Sequence, residues 1–196
     1  MLRLWLLFVS VLIASFAVLG WIGVRIYQEM PPIVAKVVTT DGRTVIDEGD
    51  ISAGQNVWQS LGGMEVGSVW GHGSYVAPDW TADYLHREAV FILDRWAEEE
   101  FGAPFGEIDE ERQGQLIARL SKQFRSNDYD PETGVLTIDP LRAEAFDANI
   151  EHYSTVFIDG NEDYAIPAGA VSSTERLRQL TTFYFWTSWA SVATRP

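Results

Sequence analysis

Residues 62–75 read Gly62-Gly63-Met64-Glu65-Val66-Gly67-Ser68-Val69-Trp70-Gly71-His72-Gly73-Ser74-Tyr75, "GGMEVGSVWGHGSY". A glycine-rich run with one histidine can cradle a phosphate, hold a metal or turn the chain, and the choice decides what kind of domain surrounds it. The phosphate reading fails on pattern. There is no G-x-x-x-x-G-K-[ST], and G-H-G-S-Y does not supply the third glycine of a dinucleotide fingerprint. Charge opposes it too: 14 basic against 28 acidic residues leave a net −14, which excludes a broad nucleic-acid or anionic-lipid surface. The metal reading gains little from the histidines. His72, His86 and His152 show no H-x-H or H-x-x-x-H spacing, and each reads as a hydrogen-bonded surface or core residue.

The chain contains no cysteine. That removes disulfides, thiolate metal sites, iron–sulfur clusters and covalently attached c-type haem together. No G-x-S-x-G or other nucleophile motif is present. The runs Glu98-Glu99-Glu100 and Asp109-Glu110-Glu111 read as solvated helix faces.

The first element upstream of the run is an anchor. Leu4 to Val24, "LWLLFVSVLIASFAVLGWIGV", holds 21 residues without a charge, and at ~1.5 Å per residue a helix of that length spans ~31 Å, the hydrocarbon thickness of a bilayer. Trp5 lies at one end, with Trp21 and Tyr27 at the other, where amphipathic rings favour the interface. A cleaved signal peptide is the alternative, since Arg3 gives a positive start. The apolar part exceeds the usual ~7–15 residues, however, and no A-x-A-like site follows. Pro31-Pro32 stops the helix. A short N-terminal tail stays inside, so the acidic remainder is expected outside the cytoplasm, periplasmic to an inner membrane.

Between anchor and glycine run, "IVAKVVTTDGRTVID" (33–47) is rich in β-branched residues, and Asp41-Gly42 signals a hairpin turn. Ser52-Ala53-Gly54-Gln55 fits a capping box opening a helix to about Leu61, ended by Gly62-Gly63. Downstream, Pro78 marks the loop's exit. Helices are expected over Thr81–Glu100, with Leu85, Ala89, Ile92 and Trp96 on one face, and over Glu110–Arg125, burying Leu116, Leu120 and Phe124. "DYDPETGVLTID" suggests a small hairpin or loop around Pro131 and Gly134. A further helix covers Leu141–Tyr153. Ser172-Ser173-Thr174-Glu175 caps the last helix, whose Leu180–Ala193 stretch has 14 residues without charge. That stretch is short for a span and fits a core helix or one lying at the membrane surface.

"GQNVWQSLGGMEVGSVWGHGSYVAPDWTADYLHRE", Gly54 to Glu88, resembles the N-terminal region of the quinol-dependent, single-chain nitric oxide reductases. The preceding membrane helix and the closing "FYFWTSWASVATRP", Phe183 to Pro196, resemble the same family in the same order, while residues 102–171 match less distinctively. The resemblance implies a mainly α fold: a transmembrane anchor (1–30), a haemless cytochrome-c-like extracytoplasmic domain (31–179) with a small extended lead-in, and an aromatic segment (180–196) leading to a catalytic membrane domain. The haem-bearing subunit of the two-subunit reductases carries C-x-x-C-H, three residues, then G-x-G-A-Y-x-A-P-D. Gly71 to Asp79 matches the second half, with Ser74 for alanine. Counting back, Gly63, Val66 and Gly67 stand where the two cysteines and the histidine would be.

What the resemblance implies for function is a cap over the domain that reduces nitric oxide to nitrous oxide with quinol electrons, in denitrification or nitric oxide detoxification. Haem b, non-haem iron and calcium belong to the complete enzyme. The chain itself carries none of the catalytic residues and is expected to be inactive alone, as a fragment, a truncated product or an excised domain. Its partners are the bilayer, the catalytic membrane domain and quinol, with no nucleic acid. By the same resemblance Gly73 and Tyr75 approach a calcium ion that bridges the domain and the haem propionates. Calcium takes ~6–8 oxygens, so two residues cannot make the site alone, and Tyr75 packing at the domain base is the other reading. Two readings from other classes stand beside this one: an anchored hydrolase using carboxylates such as Asp79 or Glu88, and an anchored binding module using the aromatic tail.

Overall fold

The computed structural model describes residues 2–71 and 77–194. The chain divides into two compact units, Met1–Pro32 and Ile33–Pro196.

The first unit is one helix, α1 (Leu2–Gln28), in which no residue is buried. Ser10 in its interior is satisfied locally, its Oγ donating to the Leu6 carbonyl at 2.8 Å. Arg25 pairs with Glu29 at 2.8 Å one turn on. Among the described residues α1 is the one helix long and apolar enough to cross a membrane.

In the second unit β1 (Lys36–Thr39) and β2 (Thr44–Ile46) form the expected hairpin. Gly42 takes φ 91° at the turn, a left-handed conformation that glycine adopts without a Cβ penalty. β3 (Tyr129–Asp130) and β4 (Val135–Ile138) form a second hairpin through Gly134, φ 71°. The two hairpins join in one sheet of order β2-β1-β4-β3, because β1 pairs parallel with β4 from Lys36 opposite Val135 to Thr39 opposite Ile138. No local pattern announces that pairing.

Helix α2 (Asp50–Ser60) corrects the expected capping box. It starts at Gly49, whose φ of 88° turns the chain into the helix, and no side chain caps it. Ser52 therefore falls inside the helix and is exposed. The first turn is held instead by Asp50, which accepts the Asp47 amide at 3.3 Å and pairs with Arg178 at 2.7 Å. The other helices of this unit start on side-chain caps. Asp79 caps α3 (Trp80–Phe101), Asp109 caps α4 (Glu110–Arg125), Asp139 caps α5 (Pro140–Phe157), and Ser173 caps α6 (Thr174–Val192). α5 runs one turn past the expected Tyr153, because Val156 and Phe157 still have core to enter.

The core lies along α6. Every residue from Leu180 to Trp189 is buried, so this stretch is a core helix and not a surface-lying one. α2 packs closest to it: a Cβ at Gly54 would overlap the Gln179 carbonyl. A second apolar cluster sits between α3 and α4, where Ile92, Leu93 and Trp96 meet Leu116, Leu120 and Phe124. The fold is mainly α with a small sheet, as expected.

Candidate functional site

Within the described residues, the glycine-rich run from Gly62 to Gly71 is built as a strap held at both ends. It leaves α2 through Gly62 (φ 113°) into a 3-10 turn, Gly63–Glu65. The strap then pairs with the start of α3. The Trp80 amide donates to the Ser68 carbonyl at 2.8 Å, and the Trp70 amide donates to Thr81 Oγ1 at 3.2 Å. Asp79 is the fastener. One carboxylate oxygen caps α3 through the Ala82 amide at 2.9 Å, while the other accepts from Ser68 Oγ at 2.8 Å and the Gly71 amide at 2.6 Å. Two indoles tie the strap to its neighbours: Trp58 Nε1 of α2 donates to the Gly67 carbonyl at 3.2 Å, and the strap's own Trp70 Nε1 donates to the Thr187 carbonyl of α6 at 3.0 Å.

Under the strap lies Trp80, only 1% exposed. Its ring stacks on Tyr184 (centroids 5.4 Å, 14° between planes) and meets Phe157, Tyr153 and Tyr164 at 5.1, 6.0 and 6.0 Å. Tyr153 gives its hydroxyl to Asp83 at 2.9 Å. Burial pushes the Tyr153 and Tyr184 hydroxyls well above the ordinary tyrosine range, so both stay protonated.

A cytochrome-c-like fold implies c-type haem, and the residues present do not fit it. Covalent attachment needs thiols, and none exists. Gly67, in the place of the axial histidine, has φ 132°, and a Cβ there would overlap the indole nitrogen of Trp80. No side chain can stand at position 67 while Trp80 is in place. Calcium is a separate question. Gly73 and Tyr75 lie outside the described residues, as does His72. Among the described residues no group of three or more histidines, aspartates or glutamates could hold a metal.

The carboxylates named for acid–base work have other employment. Asp79 is fully used by the strap. Glu88 is completely buried against Arg142, whose Nε donates to Glu88 Oε1 at 2.6 Å. Burial works to deprotonate Arg142, but the charge and hydrogen bond of Glu88 outweigh it and hold the guanidinium above its ordinary value. Glu88 itself has no exposed face for a substrate.

His86 and His152 do come together, lining one groove with Arg87 and Asp94. Asp94 there accepts the Phe105 amide at 3.0 Å. Burial, then the charge of Arg87, lowers His152 below the ordinary imidazole value, with Asp83 opposing weakly. These surroundings favour the neutral form of His152. Reading along the chain missed the fastening role of Asp79, although an aspartate just before a helical period was signal enough. It also missed the Glu88–Arg142 pair, for which sequence offers no signal.

A helix that fits a membrane anchor, a mainly helical second unit, a fastened glycine strap over a buried tryptophan and a chain without thiols fit an anchored, cytochrome-c-like domain that cannot attach c-type haem covalently. Residues 34–196 match the family of NorB cytochrome c-like domains from nitric oxide reductases, and the chain belongs to that family. No curated protein matches the chain.

Proposed function

We propose that the chain is the N-terminal anchor and cap of a quinol-dependent nitric oxide reductase, with its second unit on the periplasmic side of the inner membrane. The observation that carries this reading is the closed floor of the strap. A cytochrome c domain passes electrons through its haem, and here Trp80 fills the ground beneath position 67 while no cysteine is present. Electrons from a soluble donor have no cofactor to enter by, so a lipid-borne donor such as quinol serves the catalytic centre directly. The domain then covers and steadies that centre. A carboxylate-dependent hydrolase is not supported, because Asp79 and Glu88 are both engaged in holding the fold.

Gly73 and Tyr75 are proposed as this domain's contribution to a calcium ion shared with the catalytic domain, through a backbone carbonyl and a phenolic oxygen. The remaining oxygens come from the catalytic partner, since calcium needs ~6–8.

Nitric oxide consumption by the complete enzyme, with reduced quinol or reduced cytochrome c as donor, tests the reading. Turnover with quinol alone supports it. Turnover driven by cytochrome c, or a coding region after Pro196 without further membrane spans, overturns it. For the calcium site, Tyr75→Phe in the complete enzyme is expected to lower calcium content and turnover. Unchanged values for both leave Tyr75 as a packing residue.

A further inference from the structure

A cleft of about 420 Å³ opens between α3, α4, β4 and the first turn of α5, away from the strap. Its volume falls within the ~300–1,000 Å³ common for small-molecule sites. Two polar atoms of its lining are buried without a partner: the indole N–H of Trp189 and the side-chain carbonyl of Gln123. Trp189 is 3% exposed, so its donor is a standing cost unless something in the cleft accepts from it. Arg142, 5% exposed, also lines the cleft and gives Nε to Glu88. Its other guanidinium nitrogens make no hydrogen bond among the described residues and remain available as donors. At the mouth stand the exposed Lys122 and Arg119. Arg119 lies flat over Trp96 at 3.9 Å and is tied to Glu100 at 2.6 Å.

We infer that this cleft is a binding site for a small oxyanion that carries its own proton, of the hydrogenphosphate or monoprotonated phosphate-monoester type. The Trp189 N–H and the unused guanidinium nitrogens of Arg142 call for oxygen acceptors. Of the three cations in the lining, Arg119 is paired with Glu100 and Arg142 with Glu88, and Lys122 at the mouth is the one without an ion pair among the described residues. The carbonyl of Gln123 supplies the discriminating term. It needs a hydrogen donor, and a protonated phosphate oxygen gives one, whereas sulfate at neutral pH has none. A buried acceptor left unpaired by the wrong ligand is penalised, and that is how a polar site separates two ions of the same size.

The test uses the full chain in detergent micelles, labelled with ¹⁵N at the tryptophan indoles. The Trp189 resonance is assigned by its loss in Trp189→Phe. Inorganic phosphate, glycerol 3-phosphate and sulfate are titrated at constant ionic strength and about pH 6, where phosphate and roughly half of the monoester carry a proton and sulfate does not. A saturable shift of the Trp189 N–H with phosphate or the monoester, at least ~10-fold tighter than with sulfate, is the expected result. The tighter of the first two identifies free ion or ester as the natural source. Lys122→Ala, at the exposed mouth, is expected to weaken binding about fivefold without moving the other indoles. Gln123→Leu is expected to abolish the preference over sulfate. A Trp189 resonance indifferent to all three ions, or one that follows sulfate equally, overturns the assignment and leaves the cleft to water.

Discussion

α1 and α6 are both rich in aromatic rings and uncharged over long stretches, yet they end in opposite surroundings. α1 leaves Trp5, Phe8, Phe16 and Trp21 more than half exposed, while α6 buries Phe183, Tyr184, Phe185, Trp186 and Trp189. The difference lies in polar content and neighbours. α1 carries few groups that need a partner other than solvent or lipid. α6 mixes its rings with Thr181, Thr182, Thr187 and Ser188, three of which find carbonyl acceptors. Thr181 and Thr187 bond back along the helix, and Ser188 bonds across to Thr81 of α3. A helix that is apolar all round is either a span or the centre of a core. Here α6 is the centre of a core, closed against α2 at Gly54, and α1 has the length and composition of a span.

The sharpest way to break the comparison is one kind of truncation in both helices. Tyr184→Ala removes the ring stacked on Trp80 and is expected to cost on the order of 4 kcal/mol in the unfolding of the second unit. Phe16→Ala in α1 is expected to leave that transition unmoved. Chemical denaturation in detergent, followed by near-ultraviolet dichroism, reads both, and equal effects would refute the division into units.

Gly54→Leu tests the neighbours of α6 from the other side. Its Cβ overlaps the Gln179 backbone, which cannot swing away like a flexible side-chain end, so a loss of about 3 kcal/mol is expected. Retained stability would mean that α2 does not pack as closely as described. In α1 the corresponding insult is a charge. Val11→Arg is expected to cost about 2.5 kcal/mol of membrane insertion, read as a shift from the membrane to the soluble fraction, with no change in the second unit.

The smallest effect comes from His152. Burial and Arg87 lower its folded value below the ordinary 6.5. As pH falls below 6.5, the unfolded chain takes up a proton that the folded one resists, so stability declines toward the folded value. It is fully present above 6.5. His152→Asn should flatten that part of the stability–pH curve, and an unchanged slope would show that another group carries it.

What could be read from the sequence followed the reach of local forces. The spacing of Leu116, Leu120 and Phe124 gave α4 its bounds, and Asp41-Gly42 and Gly134 gave the two hairpins, because turns and helix periods are settled within a few residues. The failure at Ser52 is local as well. Two starts compete within one turn, and Gly49 with Asp50, tied to distant Arg178, prevails. The family resemblance needed no fold at all, since the motif from Gly54 to Glu88 is long and of unusual composition.

By itself, then, the sequence determined an apolar helix of membrane-spanning length, the periods of the later helices, the cap at the start of α6, two hairpins and the absence of every thiol by which haem could attach. Tertiary structure alone decided that the hairpins join through parallel β1 and β4, and that α6 becomes the core. It also decided that Asp79 fastens the strap, that Glu88 meets Arg142, and that Trp189 and Gln123 face one cleft with nothing to bond. Each of these joins residues far apart in the chain. Burial and charge pairing act on distance in space, and a helix period or a turn signal carries no record of which distant side chain will complete it.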